Sequence, residues 1–186
     1  MVDGDVRGTL RLTGGTRPEL DLDLAWRDAD IGALITLATA TDVIAGRGDL
    51  DLDLRARGVA PFDMARATEG DVHLAMQSAV LQGIDVPAWL QVTSADASEA
   101  ALRGGRTGLA GFRSGLNIRE GIITPVAPIS IAAGAALTTW RGNADIADWT
   151  LDLEALLETP EADDRKTILS FTGPLNQPRL RIAPQP

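Results

Sequence analysis

Gly48-Asp49-Leu50-Asp51-Leu52-Asp53-Leu54-Arg55-Ala56-Arg57 is the stretch on which the fold turns. Leucine and charge alternate with period two, so a strand places Leu50, Leu52 and Leu54 on one side and Asp49, Asp51, Asp53 and Arg55 on the other. A helix would scatter the same leucines around its circumference. Upstream, Leu20, Leu22, Leu24 and Trp26 alternate in the same way with Glu19, Asp21, Asp23 and Arg27. Weaker copies run through Gly8 to Leu12, Asp71 to Met76, Trp149 to Leu153 and Thr167 to Phe171. Glycines at 14, 15, 46, 58, 70, 83, 121, 142 and 173 fall near the predicted strand ends, where turns or bulges favour positive φ.

Three short helices are expected between the strands. Ile31, Leu34, Ile35 and Ala38 have the spacing of one helical face, with Asp28 or Asp30 as its cap. Pro61 suits a first helical position for a second helix reaching about Thr68. Ser94 would cap a third, over residues 95–103, stopped by Gly104-Gly105. The segment Glu158 to Lys166, acidic and without apolar anchors, reads as a mobile exposed loop. Thr124-Pro125-Val126-Ala127-Pro128 reads as an edge or loop, since proline cannot donate to a ladder. The fold class expected is mainly β: one domain over residues 1–186, a curved antiparallel meander forming an open groove, with two or three short helices.

At 186 residues the chain can bury roughly 70% of its unfolded surface, enough for one core. With 26 Asp and Glu against 17 Lys and Arg, the net charge of −9 would repel phosphate backbones. Four Trp, three Phe and no Tyr leave few platforms for base stacking, so no nucleic-acid partner is expected. Cysteine is absent, which excludes disulfides and thiolate chemistry. No apolar run reaches the ~18 residues of a membrane span. An opening directly into strand pattern and a Pro184-Gln185-Pro186 ending fit a piece cut from a longer protein.

Several residues invite chemistry. Asp21 with Asp23, and Asp49 with Asp51 and Asp53, put carboxylates about 7 Å apart on one strand face, a spacing open to calcium or to glycosidase acids. They lack the turn that wraps an ion, so a solvated outer face relieved by neighbouring arginines is the simpler expectation. His73, the only histidine, lies beside Asp71 on the polar side of its strand and is conceivable as a general base. Ser114 in Gly111-Phe112-Arg113-Ser114-Gly115 has the wrong spacing for a nucleophile elbow, and Gly104 to Gly108 does not follow the order of a phosphate loop. Arg47-Gly48-Asp49 opens a strand, which does not suit an adhesion tripeptide. No catalytic residue, metal site or cofactor is therefore assigned. The apolar strand faces remain, as an ordinary core roofed by helices or as an open groove for acyl chains.

Gly46 to Gly58, a helix, Glu69-Gly70-Asp71-Val72-His73-Leu74 and Leu81-Gln82-Gly83-Ile84-Asp85-Val86 follow one another in an order that resembles the C-terminal region of AsmA-like proteins, relatives of the TamB-like β-groove lipid-transfer proteins. Thr107 to Ile123 resembles that family's threonine-led strand and Asn-Gly-type turn. Gly142 to Ile146 and Thr172 to Leu180 resemble its closing strands. The resemblance implies a Gram-negative envelope protein anchored in the inner membrane by a segment outside this sequence, with a periplasmic β groove and roles in phospholipid transport, outer-membrane biogenesis and protein targeting to membrane. It transfers no catalytic residues. It favours the groove reading, in which Leu20, Leu22, Leu24, Leu50, Leu52, Leu54, Val72, Leu74 and Met76 line an apolar trough for phospholipid or another acyl-chain ligand. The alternatives are a scaffold whose sheet edges engage outer-membrane assembly proteins and, further off, a glycan hydrolase on a β scaffold.

Overall fold

The computed structural model describes residues 3–91, 101–159 and 166–185. Its elements run β1 (Asp5–Thr13), β2 (Glu19–Asp30), α1 (Ile31–Thr39), β3 (Ile44–Arg57), α2 (Pro61–Arg66), β4 (Glu69–Ile84), α3 (Val86–Gln91), β5 (Arg103–Arg119), β6 (Ile122–Pro125), β7 (Ile129–Ala133), β8 (Ala136–Asp145), β9 (Thr150–Glu158), β10 (Lys166–Pro174) and β11 (Arg179–Gln185). All eleven strands join one open antiparallel sheet that does not close. The order along it is β1-β2-β3-β4-β5-β6-β8-β9-β10-β11, with β7 paired to β8. Consecutive strands pair because short connections favour antiparallel neighbours.

Local irregularities let the long strands twist while keeping their apolar side in phase. The β2–β3 register shifts between Trp26 and Ala29, where Asp28 takes a φ of 48°. The β3–β4 register shifts between Arg47 and Gly48, and the β4–β5 register between Gln82 and Ile84. At the first two, the inserted residue returns an apolar side chain to the same face, so Ala29 follows Trp26 and Ala79 follows Met76 on the buried side. Gly70 and Gly142, expected at strand ends, lie inside β4 and β8 with φ of 147° and 124°. A Cβ on either would stand 2.0 or 2.1 Å from the carbonyl oxygen of Asp53 or Asp152, a contact only glycine avoids.

The core gathers toward one end of the apolar face. There α1 contributes Ile31, α3 contributes Val86 and Trp89, and the sheet supplies Met76, Leu109, Ile131, Leu157, Leu169 and Ile182. Trp140 stacks on Phe171 with centroids 5.7 Å apart at its flank. Asp30 caps α1, its Oδ1 accepting from the Ala33 amide at 2.9 Å. The second helix begins at Pro61 as expected and stops at Arg66.

Three expectations concern the connections. The third expected helix falls largely on residues 92–100, outside the described ones; Ala101 and Leu102 are helical where description resumes. A helix not expected, α3, forms earlier, with Asp85 Oδ1 accepting from the Ala88 amide at 2.8 Å and Pro87 in its first turn. Of the expected loop over 158–166, Glu158 and Lys166 are instead paired strand ends joined by a 3.2 Å ion pair, and residues 160–165 lie outside the described ones. The expected edge or loop over Thr124 to Pro128 is met as a loop at residues 126–128, between β6, which ends at Pro125, and β7, which pairs only with β8. The brief β6–β8 pairing and the β7–β8 hairpin share the length of β8, so the two prolines interrupt no continuous ladder.

Candidate functional site

Strand register brings the leucines of the predicted trough into rungs that cross the sheet. One rung reads Leu10, Leu22, Leu54, Gly70 and Ile118 from β1 to β5. It continues through Ile123, Ala144 and Leu151 on β6, β8 and β9. A second reads Gly8, Leu24, Leu52, Val72 and Leu116, and a third Val6, Trp26, Leu50, Leu74 and Ser114. Leu12, Leu20 and Ala56 begin a fourth. With strands about 4.8 Å apart and alternate residues about 6.8 Å apart, the first three rungs outline a strip about 14 Å wide, and the first rung follows about 34 Å of sheet contour.

This strip differs from the core in how it is covered. Leu50 and Leu74 pack against the core cluster, and Met76, 4% exposed, belongs to it. Leu20, Leu22, Leu24, Leu52 and Leu54 are half-buried by cross-strand neighbours and, among the described residues, do not pack against that cluster. Val72 is 8% exposed between Leu52 and Leu116. Toward β1 the strip opens further, with Val6, Leu10 and Leu12 48%, 68% and 67% exposed. The nine residues predicted to line a trough thus share one face: Leu20, Leu22, Leu24, Leu52 and Leu54 are half-buried away from the core cluster, Val72 is buried, and Leu50, Leu74 and Met76 lie where α1 and the core close over it. Val6, Leu10, Leu12, Leu116, Ile118 and Ile123 extend the strip without having been singled out. Leu10 and Leu12 carried the same alternation, while the β5 and β6 members emerge only from register.

The opposite face is polar. Arg27 Nη2 lies 2.6 Å from Asp51 Oδ1, and Arg55 Nε 3.4 Å from Asp21. Arg47 grips Asp28 through Nε to Oδ1 at 2.9 Å and Nη2 to Oδ2 at 3.0 Å. That hydrogen-bonded guanidinium holds the Asp28 carboxyl below the ordinary carboxylate range, and the same bond raises Arg47 above its own. The hydrogen bond to Asp51 likewise raises Arg27. Asp23, Asp53 and Asp71 stand on one rung, and Asp71 receives Asn117 Nδ2 at 3.0 Å. Among the described residues no three His, Asp or Glu side chains are placed to hold a metal ion. His73 is exposed between Asp51 and Gly115 on neighbouring strands and makes no hydrogen bond to Asp71.

No family model matches the chain, and neither a curated protein nor a solved structure matches it. Among the described residues no helix is long and apolar enough to cross a membrane. What the arrangement can do chemically therefore rests on its two faces: a solvated lattice of carboxylates and arginines, and an apolar strip that is half-buried on β2 and β3 and exposed on β1.

Proposed function

We propose that the chain is a non-enzymatic module that holds acyl chains along the uncovered strip, acting as the periplasmic β groove of an AsmA-like protein in phospholipid transport between inner and outer membranes. The observation that carries this reading is the break in coverage: the same apolar face is sealed by α1, α3 and the later strands at one end, yet Leu22, Leu24, Leu52 and Leu54 on β2 and β3 are only half-buried and Val6, Leu10 and Leu12 on β1 are exposed. Large contiguous exposed apolar surface on a water-soluble face marks a binding site. Each methylene covered gains about 0.8 kcal/mol, so area alone can hold a chain without polar contacts. The ordered likeness to AsmA-like C-terminal segments supports the envelope setting. Inner-membrane anchorage through a segment outside this sequence is part of the same proposal.

Titration with a dansyl-labelled fatty acid tests it. The wild type should enhance dansyl fluorescence saturably. Leu22→Asp with Leu54→Asp, which sets two carboxylates side by side in the strip, should weaken binding about tenfold or more. Asp23→Ala on the other face should leave it unchanged. Binding that ignores the leucine changes, in variants shown by circular dichroism to stay folded, would refute the strip as the site.

A further inference from the structure

We draw no further inference here: the strongest candidate, the side-chain cluster at the α2 end of the sheet where Arg17, Arg57 and Arg66 line one hollow, holds Asp63 among its arginines and sets Glu19 directly opposite Arg57, so nothing in the structure selects an anionic ligand for it.

Discussion

Asp28 shows what a single residue contributes here. It sits at the β2 irregularity with φ 48°, a region that aspartate and asparagine tolerate better than other side chains, and its carboxylate is clasped by Arg47. Asp28→Asn keeps the shape and a hydrogen-bond acceptor but removes the charge. Since the folded carboxyl titrates below the unfolded one, its contribution to stability is complete above the unfolded value of about 3.9 and is lost as pH falls through the lower folded value. Urea denaturation should therefore find the wild type more stable than Asp28→Asn at pH 7, with the gap narrowing below about pH 3.9 and shrinking in high salt. The pairing of Asp21 and Asp51 with arginines was readable from sequence, because alternation put both signs on one face. The Asp28–Arg47 clasp was not: it depends on a register shift that period-two reasoning does not foresee.

Among the elements, the strands were more legible than their lengths. Alternation located the cores of β2, β3, β4, β9 and β10, but β4 runs to Ile84, well past Met76, because Gln77-Ser78 changes phase at a bulge and hides the continuation. Periodicity and capping chemistry identified α1, and Pro61 identified α2. Asp85 and Pro87 carry the same signals for α3, yet a glycine-led apolar run reads as strand until Thr107 is seen to hold it: Thr107 Oγ1 donates to Ile84 O at 2.6 Å and accepts from the Val86 amide at 2.9 Å. The cap of α1 is testable at this scale. Asp30→Ala removes the acceptor for the Ala33 amide and should cost about 1 kcal/mol in urea denaturation, whereas Asp42→Ala, exposed beyond the helix, should cost little.

For the whole molecule, sequence could say which side chains share a face but not which part of that face the protein covers. Leu50, Leu74 and Met76 looked equivalent to Leu22, Leu24 and Leu52, and only the docking of α1 and the curl of the later strands separates them. That separation gives the chain a sealed end for stability and a strip that is only partly covered, and the proposed lipid role depends on it. Photo-crosslinking reads the strip directly. A benzoylphenylalanine placed at Leu22 and, separately, at Asp53 on the opposite face should, in the presence of phospholipid vesicles, give a lipid adduct by mass spectrometry from position 22 and none from position 53. Adducts from both positions alike, or from neither, would contradict the account.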